Sequence, residues 1–207
     1  MAKFNSSTFG TISGRHGNAV ASIGKDGQNI LRLYKAPSNP NTKAQITQRS
    51  KFGFANSELS PFRDIFKITF RNNKGMNQAV SYALKNAIIG TSPNFSLDYS
   101  KLSFAWGSIQ FPDDINVAVL TGTTIKIDWD TTLRTEDETP DELNLVLMNA
   151  DSKFTILREK VAIRDEGTVT YELPQMWAGK KVNCWVFFST PESNQTSISM
   201  FLGLLQL

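Results

Sequence analysis

Few residues in this chain combine the type and spacing that chemistry requires. His16 is the only histidine and sits in the turn Gly14-Arg15-His16-Gly17, so a triad that needs imidazole is confined to one position and a multi-histidine metal site is excluded. Cys184 is the only cysteine and lies mid-way along the apolar run Val182–Phe188, where a thiol behaves as a small hydrophobe rather than a thiolate nucleophile. It has no second cysteine for an internal disulfide, which agrees with a reducing compartment. Asp128 and Asp130 share one face of a strand, as a pair of acid–base carboxylates would, but the alternation of that strand already places polar residues on its outer face. Glu136-Asp137-Glu138 and Asp141-Glu142 make an acidic loop able to attract a cation, without the spacing of a calcium loop. Neither phosphate-binding glycine motif is present. The expectation is a protein that is not an enzyme and takes no cofactor and no metal.

Charge points instead to a binding surface. The formal net charge of +3 hides a split: residues 1–93 carry 13 Lys+Arg against 3 Asp+Glu, and residues 94–207 carry 9 against 16. Such asymmetry is a cue for polyanion binding or for head-to-tail contact between copies. In the basic part, the cations Arg15, Lys25, Arg32, Lys35, Lys43, Arg49, Lys51, Arg63, Lys67, Arg71 and Lys74 are interleaved with Phe52, Phe54, Phe62, Phe66 and Phe70, a mixture that single-strand nucleic-acid binders also use. These phenylalanines fall on helical apolar stripes, where core packing is the default, so nucleic acid is a rival and not the leading expectation. Trp106 and Trp177 are candidates for stacking on a sugar, and each equally fits a packing role.

The elements that must position these residues come in two grammars. From Phe9 to Lys35, short β-branched runs are cut by turns, and Lys25-Asp26-Gly27 predicts a hairpin between strands near 18–24 and 28–34. In the second strand Ile30, Arg32 and Tyr34 point one way and Leu31, Leu33 and Lys35 the other; neither face is cleanly apolar, and something else is expected to cover part of the sheet. Ala36–Asn41 is a proline-fixed linker. Thr42 with Gln45 reads as a capping box for a helix to about Leu59 that buries Ile46 and Phe54 with part of Phe52. Ser60-Pro61 opens a second helix, Asn72 to Gly75 stops it, and Met76, Ala79, Val80, Ala83, Leu84, Ala87 and Ile88 form the stripe of a third that ends at Gly90.

After Pro93 the pattern becomes short alternating runs. Ile125, Ile127 and Trp129 face inward and Lys126, Asp128 and Asp130 outward; strands follow at 143–148, 154–163, 168–173, 181–189 and 197–204. The fold class expected is α+β: a basic module over 1–93, a β-meander with three helices, then an acidic immunoglobulin- or fibronectin-type-III-like β-sandwich over 94–207. No segment approaches the roughly 18 apolar residues of a membrane span, and polar Asn5, Ser6 and Ser7 leave no apolar signal core, so synthesis in the cytoplasm is expected.

The runs Gly10-Thr11-Ile12-Ser13-Gly14, Gly17-Asn18-Ala19-Val20, Asn39-Pro40-Asn41-Thr42-Lys43-Ala44-Gln45 and Gln48-Arg49-Ser50-Lys51-Phe52 resemble DUF6266, an uncharacterised family of Bacteroidetes genomes and their phages. Lys43 stands where that family usually has proline, which alters only the first helical turn. The resemblance implies no activity. It does imply a bacteriophage or mobile-element setting, and with it a virion component such as an auxiliary capsid protein of the kind found in crass-like phages. The partners expected are virion proteins, either the major capsid protein or neighbouring copies in an oligomeric assembly, with a neck or tail ring and a nucleic-acid-binding accessory as alternatives. The interaction residues expected are Arg15, Arg32, Lys35, Gln48, Arg49 and Lys51; Arg49 in particular should anchor its helix, to the meander or to a neighbouring chain, through a carbonyl or carboxylate.

Overall fold

The computed structural model describes residues 2–70, 75–131, 141–192 and 195–207. It is mixed α and β, mostly strands in antiparallel sheets with one long helix, and divides into compact units at Thr42 and Lys43.

The smaller unit is a single four-stranded sheet. Strands β1 (Ala2–Phe4), β2 (Gly14–His16), β3 (Ala19–Ile23) and β4 (Asn29–Leu33) lie in the order β1-β4-β3-β2. The Asp26-Gly27 turn joins β3 to β4 as its sequence predicts, with Gly27 at φ +75 and the Gly24 N–H donating to Gln28 O at 2.8 Å. Strand β1, which the sequence pattern leaves unassigned, pairs with β4 through Lys3 and Ile30. Among the described residues of this unit, Ala21 is the one apolar residue that is buried.

The larger unit begins with α1 (Lys43–Leu59), a 3-10 turn at Ser60–Phe62, α2 (Arg63–Thr69) and α3 (Gly75–Asn86). Helix α1 buries Ala55 and Leu59, while Ile46 stays half exposed, contrary to the burial expected of it; Phe54 is partly buried, and Phe52 is half exposed, in keeping with the partial burial expected there. Its apolar contacts therefore concentrate in the C-terminal half. The stripe of α3 stops at Asn86; Ile88 belongs to a hairpin of β5 (Ile88–Thr91) and β6 (Asn94–Leu97), closed by the turn at Ser92-Pro93. Pro93, read in the sequence as a boundary, is thus a turn residue inside the unit. The expected stop at Asn72–Lys74 lies outside the described residues.

Among the described residues, seven further strands follow: β7 (Ile115–Thr121), β8 (Thr124–Trp129), β9 (Glu142–Asn149), β10 (Thr155–Ile163), β11 (Thr168–Glu172), β12 (Lys181–Ser189) and β13 (Met200–Gln206). They form one sheet in the order β10-β9-β12-β13 and another in the order β11-β8-β7. Ile125, Ile127 and Trp129 of β8 pack with Leu143, Leu145 and Leu147 of β9 and with Cys184, Val186 and Phe188 of β12 in one core. Side chains of opposite parity on the same two strands, Val146, Met148, Trp185 and Phe187, face the helices and pack with Leu59, Phe62 and Phe66 in a second core. Phe104 stacks on Phe66 at 5.2 Å and meets Trp185 edge-on at 5.1 Å. This second core corrects the organisation inferred from composition: the helices belong with the C-terminal sheets, because β9 and β12 offer them an apolar face.

At one end, where β10 leaves its sheet, a buried ion pair links the residues that flank β9 and β10. Arg164 Nε donates to Asp141 at 2.9 Å, both side chains being 3% exposed, and Nη2 donates to Gln110 O at 2.7 Å. The guanidinium lies 4.3 Å over the Phe188 ring, and Trp129 Nε1 donates to Arg164 O at 2.7 Å. Nη1 has no partner among the described residues. Removing Asp141 would leave a buried cation uncompensated, which costs about 3–5 kcal/mol. Asp141→Ala should therefore lose stability on that scale in urea unfolding, whereas Asp141→Leu combined with Arg164→Met should recover most of it.

Candidate interaction surface

The residues that sequence reasoning singled out do not converge on one site. Arg15 and Arg32 do come together. In the register of the smaller sheet Arg15 pairs with Val20 and Val20 with Arg32, so both guanidinium groups project from one face, and Lys3, opposite Ile30, projects from the same face. Arg15 stacks 4.0 Å over the ring of Tyr34, and its Nε donates to Gly17 O at 3.0 Å. The stacking holds Arg15 in place while leaving it exposed. Lys35 lies just beyond β4 and is exposed.

Lys51 has a different task. Its Nζ donates to Leu84 O at 2.8 Å, a carbonyl in the last turn of α3 that lacks an intrahelical partner, so the ammonium both caps α3 and ties α1 to it. Gln48 and Arg49 are exposed on α1.

The glycine-rich motif acquires a local explanation. Gly10, Gly14 and Gly17 all have positive φ, at +60, +103 and +58. Asn29, which the sequence reading passed over, is 2% exposed and holds the turn that these glycines permit: its Oδ1 accepts from Ile12 N–H and its Nδ2 donates to Gly10 O, both at 2.9 Å. An asparagine alternating with Leu31 and Leu33 on a strand face was the available signal, since a buried amide must be satisfied on both ends.

Of the groups considered for catalysis, Asp128, Asp141 and Glu142 are paired and Cys184 is enclosed. Asp128 accepts from Lys126 at 2.7 Å and from the Thr168 hydroxyl at 2.6 Å, and these bonds, that of Lys126 foremost, hold its carboxyl below the usual range. Asp141 is the partner of Arg164, and Glu142 pairs with Lys160 at 3.1 Å. Glu136, Asp137 and Glu138 lie outside the described residues. Among the described residues no group of three or more His, Cys, Asp or Glu is placed to hold a metal ion. His16 is exposed on β2. Trp177 is buried in the core, whereas Trp106 is 39% exposed and packs against Tyr82 at 5.0 Å and Phe70 at 4.6 Å. No described helix is long and apolar enough to cross a membrane.

Comparison with known families gives a match over residues 11–203 to a family of unknown function, DUF6266. The chain belongs to this family. The matched span takes in Gly14 and Gly17, the helices and nearly all of both larger sheets, so the DUF6266 pattern extends well beyond the N-terminal motif. No curated protein matches the chain.

Burial pushes the Cys184 thiol up from 9.0 to about 12. Between those values the unfolded chain ionises and the folded one does not, so this residue's contribution is fully present below pH 9 and is lost as pH rises toward 12. Stability of the protein should fall with pH across that window more steeply than that of Cys184→Ala, by about 1.4 kcal/mol per pH unit, in urea titrations run at successive pH. The native thiol should stay unreactive to a disulfide reagent at pH 8.

Proposed function

We propose that this protein is a non-enzymatic structural component of a bacteriophage virion, a capsid auxiliary or decoration protein that binds the shell through its basic N-terminal sheet. The observation that carries the reading is the segregation of Lys3, Arg15 and Arg32 onto one face of a sheet that buries only Ala21 and Asn29. A unit that encloses so little of its own surface draws stability and purpose from a partner, and three cations on one face speed docking to an acidic one. The motif resemblance supplies the phage setting, synthesis then being in the host cytoplasm and residence in the virion. The shell protein or neighbouring copies are the partners. The paired sheets of the larger unit are read as an immunoglobulin-like sandwich: antiparallel sheets of four and three strands about one core suit that fold, which serves in many proteins as a surface module.

Mass spectrometry of washed particles should find the protein at a fixed copy number, in the hundreds for a decoration role and about a dozen for a neck or tail ring. Arg15→Ala with Arg32→Ala should lower its incorporation several-fold without changing its thermal midpoint, both side chains being exposed. Absence of the protein from the particles would sink the reading.

A second reading draws on the same face. Guanidinium groups beside the exposed Tyr34 ring also suit a nucleic-acid accessory protein. Binding of single-stranded DNA that falls steeply as salt rises, and is lost in the doubly substituted protein, would favour it; no retention at low salt would remove it.

A further inference from the structure

In the larger unit, the outer face of α3 and the segment 103–109 meet in a cleft that the core packing does not use. Gln78, Ser81, Tyr82 and Lys85 stand at spacings of three and four and so share one face of the helix, while Ala79, Val80 and Ala83 turn to the core. With Trp106 they line an open cleft of about 280 Å³, near the lower end of the roughly 300–1,000 Å³ of small-molecule sites. Gln78, Ser81 and Lys85 are exposed, and none of the three side chains makes a hydrogen bond or ion pair with another described residue. Trp129, Trp177 and Trp185 are buried, which leaves Trp106 as the exposed tryptophan. Its mount is pinned at several points. The Phe104 N–H donates to Ser199 Oγ at 2.8 Å, the Ser199 N–H to Ala105 O at 3.2 Å and the Ile109 N–H to Thr196 O at 3.1 Å. A β-carbon on Gly107 would lie 1.8 Å from Thr196 O, so the residue beside the tryptophan has to be glycine for the two backbones to come this close. Phe70 and Tyr82 then hold the indole from the side. A ring fixed in this way loses little freedom when a ligand settles on it.

We propose that this cleft binds a neutral pyranose unit of a polysaccharide, with Trp106 as the stacking surface and Gln78, Ser81 and Lys85 as hydrogen-bond partners of the sugar hydroxyls. A pyranose ring is apolar on the face that carries its axial C–H bonds and polar at its rim, where each hydroxyl both donates and accepts. The lining has the same division: an aromatic surface with polar groups to one side. The Gln78 amide and the Ser81 hydroxyl each offer a donor and an acceptor, and the Lys85 ammonium adds donors. Other ligand classes match less of it. A single-stranded nucleic acid also stacks on aromatic rings, but its phosphates call for a track of cations, and Lys85 is the one cation among the described residues of the lining. A wholly apolar ligand would cover three polar side chains without pairing them. The open form of the cleft sets the strength: one site should bind in the millimolar range, and several copies on one polysaccharide chain should bind more tightly through avidity. This site goes beyond the virion reading and does not depend on it.

The test is an NMR titration of the full chain, followed at the indole N–H signals. Trp106→Phe identifies the Trp106 signal by its loss, and neutral oligosaccharides of glucose, mannose, galactose and xylose are then added to the wild type at millimolar concentration. At least one should move the Trp106 signal saturably and leave those of the buried Trp129, Trp177 and Trp185 in place. Raised salt should not weaken the binding, since no charge on the ligand takes part. Retardation in native gels that contain the matching polysaccharide gives a second readout, independent of the indole. There Trp106→Ala should abolish retardation, and Gln78→Ala with Ser81→Ala should reduce it several-fold with an unchanged thermal midpoint, both residues being exposed and unengaged. The double substitution keeps the test decisive if Trp106→Ala does not fold. A wild type that responds to none of the oligosaccharides overturns the proposal, as does saturable binding indifferent to the loss of Gln78 and Ser81. A Trp106 signal moved by oligothymidylate and not by any saccharide would assign the cleft to nucleic acid and overturn it too. Incorporation into particles should be the same with and without Gln78 and Ser81, so failure here leaves the virion reading untouched.

Discussion

A strand whose side chains are apolar in both directions has to be covered on both faces, and β9 and β12 are such strands. Leu145 and Cys184 turn toward one layer, Val146 and Trp185 toward the other, all of them fully buried. The three-stranded sheet supplies one cover and the helices the other. Neither cover is self-sufficient. Helix α3 has a regular apolar stripe and only twelve residues, too short to stand alone in water, and β8 alternates strictly, with one apolar face to dispose of. Each finds its missing surface on the β9–β12 pair.

The polar exceptions in this unit stand where strands end or bend. Arg164 and Asp141 close one end of the core, where Trp129 and Phe188 would otherwise leave an edge to water. Asn144, buried in β9, donates to Ser189 Oγ at 2.8 Å and accepts from Lys160 N–H at 3.2 Å, where β10 is interrupted by a bulge with Lys160 at φ +58. An amide that satisfies a bulge fixes the register of its neighbours, since a slip of one residue would strand its donors.

Much of this was legible in the residues and some was not. Ile125, Ile127 and Trp129 announced their burial by alternation, and Asp26-Gly27 its hairpin, because both signals are local. The two-sided burial of β12 was also written in its unbroken apolar run, yet such a run says only that both faces are covered and is silent on what covers them. Hence the helices were grouped by charge with the N-terminal sheet. Ile88 continued the stripe of α3 by type, but a hairpin partner 88–97 competes for it, a tertiary choice that helical spacing does not contain. For the candidate surface, Arg15 and Arg32 were picked out singly by type; that they flank Val20 depends on register, and register was fixed by the turn at Asp26-Gly27 and the bonds of Asn29. Lys51 carried no sequence sign of its bond to α3, since it depends on the crossing of two helices.

The order in which the second core is assembled has a consequence for synthesis. Leu59, Phe62 and Phe66 emerge early from the ribosome, whereas Trp185 and Phe187, against which they pack, are made more than a hundred residues later. At elongation rates of about 5–20 residues per second the helices wait roughly 6–25 s with their apolar face uncovered. Over that interval the nascent chain is a client for chaperones. Its larger unit closes only as β12 arrives, so a ribosome paused between β10 and β12 would hold the chain at its most aggregation-prone length.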